Sequence, residues 1–256
     1  MHQKNEICTF SIKMSFLLSY LTLHLNTKFQ NHQTMNELLI KLSECIEFGK
    51  INLASPYPPQ MKGQDGADEI TRKALVEGVN PQDILTQGLM PGMERIGIKF
   101  RENRVFVPQV LMSAKAMSTA MLHLKPYFLS GAAKQKGTFI IGTVLGDLHD
   151  IGKNLVGMMV EGNGYKVIDL GTDVSSAKFI EAVKENPNSV VGLSALLTTT
   201  MVNMEKITKD IKEAVPGTLV TIGGAPVNSD FCAKIGADNY SPDPQGVVEY
   251  LNAKIA

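Results

Sequence analysis

From Met35 to about Leu129 the apolar positions recur at the three-and-four spacing of helices. Leu38, Leu39, Leu42, Cys45 and Ile46 form one face of a first helix. The stretch Asn52 to Gly66 breaks the pattern with Pro56, Pro58, Pro59, Gly63 and Gly66, and reads as a loop. A second helix is predicted from about Ala67 to Glu77, ended by Gly78-Val79-Asn80. The third has Pro81 in its first turn and Asn80 as its cap. It carries Ile84, Leu85 and Leu89 and continues past Pro91 to Phe100. A fourth begins near Val107-Pro108, with Val110, Leu111, Ala114, Met117, Met121 and Leu124 on one side. Four helices with short connections predict a bundle.

After a linker, Ser130 to Lys136, the period changes. Strands are expected at Thr138 to Leu145, Lys166 to Leu170, Ser189 to Leu193, Thr218 to Ile222 and Asp238 to Tyr240. Helices are expected at Ile151 to Gly162, Ala177 to Lys184, Met201 to Ala214, Ser229 to Ile235 and Gln245 to Ala253. This alternation implies right-handed crossovers and a doubly wound parallel sheet. Five strands suit a flavodoxin-like order better than a six-stranded dinucleotide domain. The expected fold class is therefore α plus α/β, with a four-helix bundle over 35–129, a linker over 130–136 and a flavodoxin-like five-stranded sheet over 137–256.

Residues 1–34 fit nothing downstream and read as an extension, an upstream start-codon artefact being one origin. The apolar run Met14 to Leu25 behind Lys4 and Lys13 imitates a signal peptide. Glu6 interrupts the basic region, however, and Asn26-Thr27-Lys28 replaces the small-residue cleavage site. A bilayer also needs about 20 apolar residues.

A length of 256 residues allows one large domain or two small ones. Lys and Arg total 25, as do Asp and Glu, so zero net charge offers no electrostatic case for nucleic acid or an anionic membrane. Cys8, Cys45 and Cys232 are scattered and odd in number, which excludes a disulfide framework and a Cys-rich zinc site and points to a reducing cytoplasm.

Ligands of a doubly wound sheet bind outside the carboxyl ends of its strands. The loops there are Gly146-Asp147-Leu148-His149-Asp150-Ile151-Gly152, then Ser194 to Thr200, then Gly223-Gly224-Ala225-Pro226-Val227. Neither a Gly-x-Gly-x-x-Gly turn nor a Gly-Lys-Ser/Thr phosphate loop is present. A loop His beside Asp is common polar surface, yet the same pair fixes the tautomer of a metal-ligating imidazole. A protein-built zinc site needs three or four ligands. A lone His suits a metal that arrives already chelated by a macrocycle.

Asp147-x-His149-x-x-Gly152, then 41 residues, Ser194-x-Leu196, then 26 residues and Gly223-Gly224 resembles the signature of cobalamin-binding domains that hold the cofactor base-off with His on cobalt. Gly88 to Gly97 through Phe100, and Val105 to Leu111 with Ser113 to Met117, are similar to the cap module of methionine synthase and of methyltransferase corrinoid proteins. The loop 52–66 is longer than that family's compact linker. Bundle and sheet together extend the resemblance over about 35–256.

The resemblance implies cobalamin as cofactor, cycling between a methylated six-coordinate state and a Co(I) nucleophile. His149 would be the axial cobalt ligand, Asp147 would accept from its other nitrogen, and Ser194 would extend the chain to Asp147. Leu148, Asp150, Ile151 and Gly152 would flank the ligand, although Asp150 also reads as an exposed helix-start carboxylate. Ser194, Leu196, Thr198, Gly223, Gly224 and Ala225 would line a slot for the nucleotide tail, with Tyr240, Ser241 and Asp243 beside it. Phe106, Met93 and Val110 would cover the upper corrin face; Phe106 reads equally as a core aromatic. The implied function is a methyl carrier. A substrate methyltransferase, acting first on methoxylated aromatics and otherwise on methylamines or methanol, would load it. A second, acting on tetrahydrofolate or a thiol, would unload it, and a reductive activase would restore it. The alternatives are a cobalamin-dependent regulatory sensor, the cobalamin subunit of a carbon-skeleton mutase and a flavodoxin-like module without corrin.

Overall fold

The computed structural model describes residues 33–131 and 133–255. The expectations for the N-terminal extension, including the Met14 to Leu25 run, lie outside the described residues. Helix α1 spans 33–48, α2 Ala67–Val76 and α4 Val107–Leu129. Helix α3 is one rod made of Pro81–Asp83, a wide π turn Ile84–Leu89, and Met90–Arg101. Asn80 caps it, its side-chain oxygen accepting from Gln82 N at 2.8 Å. The wide turn comes directly before Pro91, whose ring would collide with the carbonyl four residues back in a regular helix. All five apolar residues of the predicted α1 face are buried. The loop after α1 is pinned at both ends. Glu69 accepts from Leu53 N at 3.0 Å and Gly66 N at 2.9 Å, and Lys50 Nζ donates to Ser55 O at 2.8 Å.

Close approach sets the bundle geometry at Gly92. A Cβ there would lie 2.5 Å from the Ser43 carbonyl oxygen of α1. Backbone cannot step aside as a side chain can. Gly92→Ala should therefore cost about 3 kcal/mol, at the upper end of overpacking penalties. That exceeds the ~1 kcal/mol Ala gains over Gly within a helix. A urea midpoint at or above wild type would show that α1 and α3 are not held at contact.

The second half holds strands β1 Thr138–Thr143, β2 Lys166–Asp169, β3 Val190–Ser194, β4 Leu219–Gly223 and β5 Asn239–Tyr240. They pair in parallel in the order β2-β1-β3-β4-β5, the flavodoxin-like arrangement the alternation predicted. The helices are α5 Ile151–Gly162, α6 Ser176–Glu185, α7 Asn203–Ala214 after a short turn Thr198–Met201, α8 Ser229–Ile235 and α9 Pro244–Ile255. Strand 1 ends two residues before its predicted limit because Val144 leaves the ladder to bridge Val174.

Side chains alternate across the sheet as strand geometry requires. Ile140, Val191, Leu193, Val220 and Ile222 pack with Phe179 of α6, Ile207 of α7 and Phe231 of α8. Phe139, Ile141 and Val190 face the other way, with Leu155 and Met159 of α5 and Val248 and Leu251 of α9. That second core runs unbroken into the bundle through Met93, Ile96, Met117 and Leu124. Arg101, the last residue of α3, ties the halves at the rim. Its guanidinium donates to Asp243 at 3.0 Å and to Glu249 at 2.8 Å.

Candidate functional site

The sheet register sets Thr143, Ser194 and Gly223 level across β1, β3 and β4, with Ile222 beside Tyr240. Beyond β1 the chain turns into α5 on the bundle side, and beyond β3 it turns into α7 on the opposite face. The two loops part there, which is where an open α/β sheet forms its crevice. A cavity of about 700 Å³ occupies the place, within the range of small-molecule and cofactor sites.

Asp147 is completely buried under this cavity. Its Oδ1 accepts from His149 N at 3.0 Å and pairs with His149 Nδ1 at 2.8 Å. Its Oδ2 accepts from Thr200 Oγ1 at 2.6 Å, Leu196 N at 2.8 Å and Leu197 N at 3.4 Å. Burial alone would raise this carboxyl, but the donors from Thr200, the His149 and Leu196 backbone and the imidazole outweigh it and hold it well below the usual carboxylate range. An anionic Asp147 keeps the proton on His149 Nδ1. Nε2 is left as the lone-pair nitrogen on a side chain that is 52% exposed and lines the cavity. Thr143 Oγ1 donates to His149 O at 2.9 Å, fixing the loop from below.

Of the residues expected here, Leu148, His149, Asp150, Ile151, Gly152, Ser194 and Leu196 line the cavity. So do Gly223, Gly224 and Ala225, and from the fifth strand's end Tyr240, Ser241 and Asp243. Asp150 stands at the start of α5 as expected but is half-buried rather than exposed; its side chain makes no cap hydrogen bond, and its Oδ2 accepts from Asn154 Nδ2 at 3.0 Å. Four expectations need correction. The hydroxyl that completes Asp147 is Thr200's, and Ser194 is not among its donors. Thr198 opens the turn before α7 and does not line the cavity. Met93 and Val110 are fully buried in the bundle core, Met93 against Gly162, and neither lines the cavity. Phe106 stands 67% exposed at the corner before α4, so it is not a core aromatic, and it is not among the residues that line the cavity. The bundle residue that reaches the cavity is Phe100.

Two models described as B12 binding domain match the chain, one over residues 137–244 and the other over 64–125. Trimethylamine corrinoid protein 1 of Methanosarcina mazei is 40% identical over 193 residues, 74% of this chain and 89% of that protein. The chain belongs to the corrinoid proteins of methyltransferase systems. Dimethylamine corrinoid protein 3 of Methanosarcina acetivorans, another relative of this corrinoid protein, is 38% identical over 182 residues, 70% of this chain and 85% of that one. The crystal structure of the methanol:cobalamin methyltransferase complex of Methanosarcina barkeri superposes with a TM-score of 0.71 at 30% identity, covering 86% of this chain and 80% of that one. A cobalamin-binding protein of Desulfitobacterium hafniense superposes at 0.65, with 29% identity, over 86% of this chain and 97% of that one.

The cofactor is cobalamin, and the residues of the corrinoid protein fit it. Among the described residues no cluster of three His, Cys, Asp or Glu side chains could hold a metal unaided. His149 instead offers one oriented nitrogen at the mouth of a cavity whose Gly223 floor is open, the nearest atom to a Cβ there being Ser241 O at 3.5 Å. That suits a metal carrying its own equatorial ligands.

Proposed function

We propose that this chain is a methyl carrier that holds cobalamin with His149 on cobalt and hands a methyl group between two methyltransferases. The observation that carries the reading is the Asp147–His149 pair at the cavity mouth, with Nδ1 engaged and Nε2 free of protein partners among the described residues. Bound cobalamin supplies a metal centre that accepts and releases a methyl group. The chain's own residues orient it. His149 presents Nε2, Asp147 and Thr200 hold the imidazole, and the open floor at Gly223, with Tyr240 and Ser241 beside it, leaves room for the nucleotide tail. In this reading 137–256 holds the cofactor, and the bundle of 35–129 covers it from the side of Phe100.

Relatives named for trimethylamine and dimethylamine favour a methylamine as the methyl donor. Methoxylated aromatics, the first expectation from sequence, come after methylamines. A second methyltransferase acting on tetrahydrofolate or a thiol completes the transfer, and a reductive activase restores the carrier. No helix among the described residues is long and apolar enough to cross a membrane. Anaerobic reconstitution with hydroxocobalamin should leave one corrinoid per chain after desalting, with an absorption spectrum of base-off cofactor. Cobalamin that washes out completely would reject the reading.

A further inference from the structure

We propose that Asp173 and Asn203 are a positioning pair that fixes the one peptide through which β1 hands over to Asp147, and so sets the aim of His149. The inference rests on the cobalamin reading and names two residues outside the cavity that serve the same site.

The chain leaves β1 through a single tight turn. Asp147 N donates to Val144 O at 3.1 Å, which closes a β-turn over residues 144–147. Gly146 holds the third position with φ at 81°, and Leu145 is not in the left-handed region, so the turn is of type II. Relative to the commoner type I, the central Leu145–Gly146 peptide is turned over. Side chains from two other segments hold both ends of that peptide. Leu145 O accepts from Asn203 Nδ2 at 2.8 Å, from the first residue of α7. Gly146 N donates to Asp173 Oδ1 at 2.7 Å, from the loop between β2 and α6. Asp173 grips the chain a second time, its own N donating to Asp147 O at 3.0 Å. With φ at 55° it occupies the left-handed region, which Asp visits more readily than most residues. Neither residue lines the cavity, and Asp173 stands at the surface, so its bonds to the loop are not a by-product of core packing.

The division of labour around Asp147 follows. The segment after β3 holds its carboxylate, through Leu196 N and Thr200 Oγ1. Asp173 and Asn203 hold the backbone that carries it. Gly146, without a Cβ, is free to adopt either turn, so a peptide left unheld can turn over and exchange the sides of Leu145 O and Gly146 N. Residue 147 follows directly. Its backbone shifts while its carboxylate stays tethered, and the contact with His149 Nδ1 is strained or lost. The imidazole then no longer presents Nε2 in one direction.

The test compares Asp173→Ala, Asp173→Asn, Asn203→Ala and the double alanine variant, each as the full chain loaded with hydroxocobalamin and reduced to Co(II). Asp173→Ala should weaken cobalamin retention about 10-fold, the low end of the cost of losing an outer partner of a metal ligand, and diminish the histidine-nitrogen hyperfine signal. Asp173→Asn keeps an acceptor for Gly146 N without the charge. It should stay within about threefold of wild type, since a neutral hydrogen bond is roughly half as strong as a charge-assisted one. Asn203→Ala frees the other end of the peptide and should weaken retention about threefold, as loss of one neutral bond. Because the two residues hold one peptide, their losses should not multiply, and the double variant should lie within about twofold of Asp173→Ala. Urea midpoints of the apoproteins report the fold separately. Wild-type retention and signal in either single alanine variant, whatever its midpoint, or a double variant whose loss equals the product of the single losses, overturns the pair while the cobalamin reading stands. A wild-type chain with no histidine-nitrogen signal overturns both.

Discussion

His149→Ala should leave the chain folded and remove the histidine-nitrogen hyperfine splitting from the spectrum of bound Co(II) cobalamin. The fold should survive because the imidazole is half exposed and its polar contact is with Asp147. Asp147 keeps Thr200, Leu196 N and the backbone N of residue 149, so no buried charge is orphaned. Loss of the proposed cobalt ligand should weaken retention at least as much as loss of an outer partner, about 10- to 100-fold. The change is confined to the ligand, so thermal melting of the apoprotein should stay within about 0.5 kcal/mol of wild type, as for exposed substitutions generally. Persistence of the splitting would move the ligand elsewhere. A collapsed melting curve would mean that the imidazole bears on the fold and not only on the cofactor.

Gly224→Ala should have the largest effect on stability, and its neighbour should separate the two uses of the glycine pair. A Cβ at Gly224 would lie 1.8 Å from the Ala195 carbonyl oxygen, with φ at 129°, where L residues are strained. Strain of about 1–3 kcal/mol adds to a backbone clash that only movement of the β3–α7 loop can relieve. We expect a total loss above about 4 kcal/mol, in the exceptional range for one substitution, read as a lowered urea midpoint or as insoluble protein. Gly223→Ala meets nothing nearer than 3.5 Å, so the chain should fold normally while the methyl narrows the cavity and weakens cobalamin uptake. The resemblance implied only that both glycines line the cofactor slot; the structure shows that Gly224 is in addition the point where the end of β4 meets the segment after β3. Equal stability of the two variants would refute that division.

The fold was legible because its elements are long, periodic and bounded by strong punctuation. Gly78, Pro81 and Gly236 sit at element ends, and strand alternation sorts Ile140 from Ile141 without tertiary information. The site was legible where one short segment contains both partners, as with Asp147 and His149. It was not legible where the partner comes from another turn. Leu196 N and Leu197 N leave no trace in side-chain identity, and three consecutive threonines offer three equivalent hydroxyls. Only the helical turn after Leu197 decides that Thr200 points inward. Met93 was misplaced for a phase reason. Met93, Ile96 and Phe100 lie at helical spacing on one stripe of α3, and that stripe begins in the bundle core and reaches the cavity two turns later. For Met93 the expectation chose the right face and the wrong end.

The unbroken core between α3, α4, α5 and α9 bears on how the molecule comes apart. Lifting the bundle away would bare Leu155, Met159, Val160 and Leu251 on one side and Met93, Ile96 and Leu124 on the other. Each large apolar side chain released to water costs about 1.5–3 kcal/mol, several times the worth of the Arg101 ion pairs at the rim. The stretch at 130–136 therefore joins the halves covalently without making them separable modules. Bundle and sheet form one thermodynamic unit, and any displacement of the bundle must slide within this shared core or exchange it for another apolar surface.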